Sequence, residues 1–316
     1  MYNIIWDIRI GKYKLLMVEE VEIHSSVDLL ADSATIKLPA TNLNKRLDVE
    51  SKIKIGDPVS IALGYEPDLI TEFEGYVQRI STDDGSIELH CEDGLYLTRK
   101  EVNDKAMKDV TVSDVVNYIA SEIGGLTVKS DVEVPYDSFV ISRATGYDIL
   151  KKIQEEIGAN IYMIGNELHV HYPYSEHFGD VVYDFARNIE KSSLEYKRAD
   201  ERKYQIEVEA IGKDGKRIVE LVGTPGGDKR TEKVYGITSR DALREIGEAK
   251  LEKLVYDGYD GSITGWLKPF CKPGYSASIK DEEYPEKDGK YYVVAVTTSI
   301  SSSGGVRKVQ LGRRLS

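Results

Sequence analysis

At 316 residues, 41% hydrophobic and 30% charged, the chain has room for two to four compact modules, because domains usually run about 100 to 200 residues. No apolar run approaches the roughly 20 residues of a membrane helix, so a soluble chain without membrane insertion is expected. A formal net charge of −12 argues against a surface that grips nucleic acid by neutralising phosphates, and no stable nucleic-acid binding is expected.

From Met1 the chain opens on Ile4-Ile5-Trp6, broken by Asp7 and Arg9 and lacking a basic leader, which reads as a first strand and not as a secretory signal. Short alternating segments follow at Tyr13–Glu22, Ala34–Leu38, Val59–Gly64, Phe73–Ile80 and Ser86–Glu92. Turns are legible at Gly56-Asp57-Pro58, Glu66-Pro67-Asp68 and Asp83-Asp84-Gly85. Residues 1–100 are therefore expected to form a first β-module, a barrel or sandwich.

The period then changes. Val115, Val116, Ile119 and Ile123 recur at helical spacing between Thr111, with Asp114 three residues on, and Gly124. The same grammar returns at Thr145, Asp148 and Gly158 around Ile149, Leu150, Ile153 and Ile157. With strands at Asn160–Ile164 and Glu167–Tyr172, residues 101–175 read as an α+β insertion whose helices cover a small sheet. Residues 176–256 read as a β-rich segment: strands at Tyr204–Ile211 and Arg217–Val222 turn about Lys213-Asp214-Gly215, a flexible turn spans Gly223 to Thr231, and a long helix runs from Ser239 to Tyr256. Residues 257–316 return to strands, a second β-module.

Chemistry is sparse. His169 and His171 alternate on a strand, and with Glu167 could make a metal site, but the exposed polar face of an edge strand is the favoured reading. Gly226-Gly227-Asp228-Lys229 lacks the contiguous Gly-Lys-Ser/Thr of a phosphate loop. Cys91 and Cys271 match no metal or redox spacing and read as buried thiols. No nucleophile motif is present, so no catalytic residues, metal or cofactor are expected, and a non-enzymatic role follows. The 21 Tyr against 5 Phe favour half-wet surfaces and interfaces.

The two β-rich ends repeat one another. Lys54-Ile55-Gly56-Asp57-Pro58-Val59-Ser60-Ile61 aligns with Lys272-Pro273-Gly274-Tyr275-Ser276-Ala277-Ser278-Ile279; Tyr76-Val77 and Ile80-Ser81 lie on Tyr292-Val293 and Val296-Thr297, and Ile87-Glu88-Leu89 on Val309-Gln310-Leu311. The paired glycines, Gly56 and Gly274, are expected at equivalent places in two similar folds.

On Gly56-Asp57-Pro58-Val59, Phe73-Glu74-Gly75-Tyr76-Val77, Cys91-Glu92-Asp93, Pro273-Gly274-Tyr275 and Gly289-Lys290-Tyr291-Tyr292-Val293-Val294, the chain resembles the phage tail baseplate hub family. That family includes the late control D proteins of contractile tails and the hub-like proteins of prophages and tailocins. The resemblance implies a mainly β fold with α+β insertions, in which two similar β-barrel-like tube domains per chain build a pseudo-sixfold ring in a homotrimer. It implies assembly in the bacterial cytoplasm, a place in the baseplate, and contacts with the tail tube or its initiator, the central spike, the tape-measure protein and baseplate wedge proteins. Gly265 to Cys271 is bulkier than the small-residue stretch the family carries before its last Pro-Gly. The alternatives are a tail-associated cell-wall hydrolase, against which stands a chain ending at Ser316 with no appended catalytic segment, and the base of a secretion-system spike.

Overall fold

The computed structural model of the protein describes residues 3–39, 41–42, 45–46, 52–83, 86–212, 214–285 and 288–315. Asp84 and Gly85 of one expected turn, and Lys213 of another, lie outside these residues.

In chain order the first strands are β1 (Ile4–Ile10), β2 (Tyr13–Lys14), β3 (Glu20–Ser26), β4 (Ser33–Pro39), β5 (Thr41–Asn42), β6 (Lys45–Arg46), β7 (Pro58–Tyr65), β8 (Asp68–Asp83) and β9 (Ser86–Glu92). Next come β10 (Lys105–Thr111), α1 (Val112–Ile123), β11 (Thr127–Ser130), β12 (Pro135–Ile141), α2 (Gly146–Ile157), β13 (Asn160–Ile164) and β14 (Glu167–His171). They are followed by β15 (Asp180–Asp184), β16 (Lys191–Lys197), β17 (Tyr204–Ile211), β18 (Arg217–Gly223), β19 (Asp228–Lys233) and α3 (Arg240–Glu252). The last strands are β20 (Gly258–Trp266), β21 (Ser276–Lys280), β22 (Gly289–Ser301) and β23 (Gly304–Arg314). The fold is mainly β.

Two compact units result: one of residues 1–96, 177–195 and 259–316, the other of 97–176 and 196–258. The segment 176–256, read from sequence as one piece, is divided between them. The cause is β15, which pairs with β21 in parallel from Asp180↔Ser276 to Asp184↔Lys280 and so belongs to the first unit.

One sheet runs through the first unit, in the order β16-β20-β23-β22-β3-β4-β9-β8-β7-β1-β2, with β21 also on β22. Both β-rich ends of the chain share it, because β22 pairs with β3 from Ala295↔Ser26 to Ser301↔Glu20. Alternation sets the buried face: β9 reads inward at Ile87, Leu89 and Cys91, and β7 at Val59, Ile61 and Leu63. Leu267 and Ile300, from the C-terminal end, pack into the core built by these N-terminal strands. The expected strand Tyr13–Glu22 is in fact two, β2 and β3.

The second unit holds three small sheets, β10-β12, β11-β14-β13 and β18-β17-β19. Its helices start where the sequence placed them. Thr111 and Asp114 form a reciprocal capping box on α1, and Thr145 and Asp148 repeat it on α2. Gly158 closes α2 in the left-handed conformation at φ 81°. Ser239 caps α3, which stops at Glu252 and not at Tyr256. The stretch after Gly223 is not wholly a turn: Asp228–Lys233 is a strand parallel to β17, held by Lys229 on Glu207 at 2.6 Å and Arg230 over the Tyr204 ring.

Candidate functional site

The feature that organises the first unit is a duplicated arch, β7-β8-β9 and β21-β22-β23. At its first entry, Gly56 N–H donates to Val77 O at 2.8 Å and Val77 N–H donates back to Asp57 O at 2.9 Å. At the second, Gly274 N–H donates to Val293 O at 2.9 Å and Val293 N–H to Tyr275 O at 2.9 Å. The turns before them match as well, Asp57 N–H on Lys54 O at 3.1 Å and Tyr275 N–H on Lys272 O at 3.2 Å. Both glycines have positive φ, 88° and 81°, where a side chain is strained. A Cβ on Gly274 would also meet the Phe178 ring at 2.4 Å.

The equivalence continues along the strands. Pro58 is opposite Tyr76, as Ser276 is opposite Tyr292. A bulge follows at Val77/Arg79 in one copy and Val293/Ala295 in the other. Beyond it Ile80 faces Leu89 and Val296 faces Val309. Val77 faces Cys91 and Val293 faces Leu311, so Leu89-His90-Cys91, and not Ile87-Glu88-Leu89, corresponds to Val309-Gln310-Leu311. The expected alignment was two residues out, a slip that period two conceals because it keeps every side chain on its own face. Strand order is shared too, β3-β4-β9-β8-β7-β1 against β16-β20-β23-β22-β21-β15. The copies differ at the last place, where β1 is antiparallel to β7 and β15 parallel to β21.

The remaining sequence-selected residues fall in or beside these arches. Gly75 stands opposite Val59, with Glu92 opposite Tyr76; Gly289 opens β22 opposite Ile279; Tyr292 and Val293 are buried; Pro273 precedes the Gly274 turn. Tyr76 stacks on Tyr96 at 5.5 Å. A Cβ on Gly75 would stand 2.1 Å from Glu92 O and 2.8 Å from the Phe73 ring. Gly75→Ala should therefore lower the stability of the first unit by about 1–3 kcal/mol, the range for overpacking, read as a shift in denaturant midpoint at unchanged slope.

Asp93 is half-buried where β9 ends. Its Oδ1 accepts from Leu95 N–H at 2.9 Å, its Oδ2 from Asp32 N–H at 3.2 Å, and its own N–H donates to Asp32 O at 3.0 Å. Burial, and next the Asp32 charge, push its carboxyl up to about 8. Burial raises Asp32 as well.

Sequence reading missed the link between the copies. Arg307 of β23 and Glu72 of β8 form a two-pronged ion pair at 2.6 and 3.0 Å, with side chains 1% and 5% exposed. Arg307 also donates to Leu267 O, Cys271 O and Thr298 Oγ1, and its guanidinium lies 5.3 Å from the Phe270 ring centre. The bulky stretch from Gly265 to Cys271 is thus the strap that wraps this arginine, and Lys268 ties it to Asp68 at 2.7 Å.

Among the described residues no three His, Cys, Asp or Glu side chains come together as a metal set. Cys91 and Cys271 are free and buried, each thiol pushed up to about 12 by burial. His169 and His171 face one another with Nδ1 and Nε2 at 3.2 Å.

No protein-family model matches the chain, and no curated protein does. Solved structures do match. A tail protein from Neisseria meningitidis is 17% identical at a TM-score of 0.70 over 99% of this chain and 97% of that one. The 43 kDa tail protein of prophage MuSo2 from Shewanella oneidensis is 14% identical at 0.70, over 98% of each chain. An Escherichia coli component of the type VI secretion system, described as structurally similar to bacteriophage T4 tail proteins, is 12% identical at 0.61 over 98% of this chain and 79% of that one. The chain has the mainly β fold of these phage and prophage tail proteins.

Proposed function

We propose that the protein is a structural hub of a phage-like tail baseplate: a homotrimer that adapts a hexameric tail tube, or the tube initiator, to a trimeric central spike and surrounds a central channel. The observation that carries this reading is the duplication, in which Val77 with Gly56 and Asp57, and Val293 with Gly274 and Tyr275, make the same pair of hydrogen bonds within one sheet. Six equivalent positions on a tube ring are met by three chains when each presents two surfaces of similar shape. The arch residues, Gly56, Asp57, Pro58, Gly75, Tyr76, Val77, Glu92 and Asp93 in one copy and Pro273, Gly274, Gly289, Tyr292 and Val293 in the other, would hold those two surfaces in shape.

On this reading the work done is symmetry matching, not catalysis. The spike, the tape-measure protein and the baseplate wedges are the further partners, and the protein is made in the bacterial cytoplasm and ends in the baseplate. The channel lining is expected to be net negative, given the overall charge of −12, so that a polyanion can pass without sticking. The fold shared with a type VI secretion component supports a second reading, the base of a secretion-system spike.

Light-scattering mass at rising concentration should give three chains, and averaged particle images of the trimer with tail tube protein should show a six-lobed ring. A chain that stays monomeric in both measurements overturns the proposal. Capture by secretion-tube but not tail-tube protein selects the second reading, and a clearing zone on bacterial cell walls would reinstate a hydrolase.

A further inference from the structure

In the second unit, His169 and His171 stand on the side of β14 away from buried Leu168 and Val170, as period two requires. Their facing nitrogens are 3.2 Å apart while the ring centroids are 5.4 Å apart. The difference is close to the two centroid-to-nitrogen distances, so both nitrogens lie near the line joining the rings. Lone pairs sharing one metal ion would converge off that line. Nitrogens aimed at each other make an N–H···N bond instead.

The outer nitrogens are buried beside carboxylates without hydrogen-bonding to them. His169 Nε2 lies 3.4 Å from Glu167 Oε2, and His171 Nδ1 lies 3.2 Å from Asp131 Oδ2 and 3.7 Å from Glu176 Oε1. Both side chains are nearly closed to solvent, at 13% and 12% exposure.

Proton counting distinguishes the charge states of this row. A neutral pair has two protons for four nitrogens: one fills the inner bond and one an outer nitrogen, so the other outer nitrogen keeps a bare lone pair beside a carboxylate. One extra proton gives both outer nitrogens an N–H beside a carboxylate and keeps the inner bond. A second extra proton sets two N–H groups and two positive charges against each other across the inner gap.

We propose that His169 and His171 act as one proton-binding unit, which holds a single extra proton between flanking carboxylates and, on taking a second in acid, parts and frees the end of β11 from β14. The groups that face the pair are consistent with this. Glu167 comes from β14 itself, Asp131 from just after β11, and Glu176 from the segment after β14. Lys129 of β11 lies 3.9 Å from Glu167 Oε1, leaving carboxylates in excess. Tyr162 of β13 stacks on His169 with centroids 5.0 Å apart and planes 9° apart. Burial first, and then the charge of His171, lowers the affinity of His169 for a proton, and Glu167 and Glu176 act the other way.

The part that loosens is specific. Asp131 N–H donates to Val170 O at 3.3 Å, and Tyr172 N–H donates to Asp131 Oδ1 at 3.3 Å. These bonds pin the chain after β11 to the end of β14, beside the His171–Asp131 contact.

Side-chain nitrogen NMR of the full chain from about pH 9 to 4 tests the proposal. Both rings should report the same two steps, more than about one pH unit apart, the criterion for coupled groups. Below the lower step, amide protection at Asp131 and Tyr172 should fall at least about tenfold after correction for intrinsic exchange, a factor equal to one decade in the opening constant. In His169→Gln the remaining ring should titrate in one step and the acid-dependent loss of protection should vanish; His171→Gln serves as the check if the first variant does not fold. Two rings titrating independently in single steps, or protection unchanged across the lower step, would overturn the proposal.

Discussion

Arg307→Ala is expected to destabilise the first unit by about 3–5 kcal/mol, the cost of leaving a buried charge without its partner. The mutation strands Glu72, which is 5% exposed, and removes the donor from Leu267 O, Cys271 O and Thr298 Oγ1 together. The strap from Gly265 to Cys271 then loses what it is wrapped around, so its proteolytic sensitivity should rise along with the fall in denaturant midpoint. Glu72→Gln should cost less, because the amide oxygen can still accept one guanidinium N–H, while Arg307 keeps its two carbonyl acceptors. Joint replacement, Arg307→Met with Glu72→Leu, should recover part of the loss, since no uncompensated charge remains inside. If the double variant is as unstable as Arg307→Ala, the arginine matters through the strap carbonyls and not through the ion pair. The cycle thus separates the two ways in which β23 could be joined to β8.

The same pair marks the limit of what the sequence discloses. Arg307 was half legible: along β23 the inward positions are Gly305, Arg307, Val309 and Leu311, so period two alone puts a charged residue in a row of core residues and calls for an inward partner. Glu72 was not legible. Its strand has a register shift between the Phe73 and Thr71 pairings with Ile61 and Ala62, so Glu72 is the bulged residue with no partner across the ladder. A bulge re-aims a side chain against the alternation from which a reader counts. The two-residue slip in aligning the copies has a related cause, since even shifts leave the hydrophobic pattern unchanged.

Local chemistry was more readable than long-range pairing. The capping boxes at Thr111 and Thr145 and the turns at Gly56 and Gly274 depend on residues within a few positions, and each carries its own signature. The strands β10, β12, β15 and β19 gave no comparable signal. β19 has the sequence Asp-Lys-Arg-Thr-Glu-Lys, which no alternation of apolar and polar residues would mark as a strand; it is ordered by the parallel ladder to β17 and the Lys229–Glu207 ion pair. For the arch residues, turn chemistry was visible. What remained hidden was that β3 and β22, separated by nearly the whole chain, would join both arches in one sheet.

Stability of the first unit should also fall as pH rises from about 4 to about 8, with a slope approaching about 1.4 kcal/mol per pH unit where one proton separates the folded and unfolded chains. The group responsible is Asp93, whose carboxyl is pushed up to about 8 by burial first and by the charge of Asp32 second. Two backbone N–H groups, of Leu95 and Asp32, favour its charged form, yet burial outweighs them. A carboxyl whose folded value stands above its unfolded value binds its proton more tightly in the fold, so the stability it contributes is complete below the unfolded value and drains away as pH rises. Asp32, raised in the same direction, adds to the effect and does not cancel it. This trend runs opposite to that of carboxylates stabilised as anions, such as Asp7 beside Arg9 and Lys14, whose contribution is lost as pH falls toward about 2. Asp93→Asn removes its titration but also one acceptor for Asp32 N–H, so it should lower stability by about 1 kcal/mol at low pH while reducing the slope above pH 4 to what Asp32 leaves. Denaturant midpoints of both proteins across that range decide the matter. Parallel profiles, with the slope retained in the variant, would show that Asp93 is ionised in the fold and that its backbone donors, not burial, prevail.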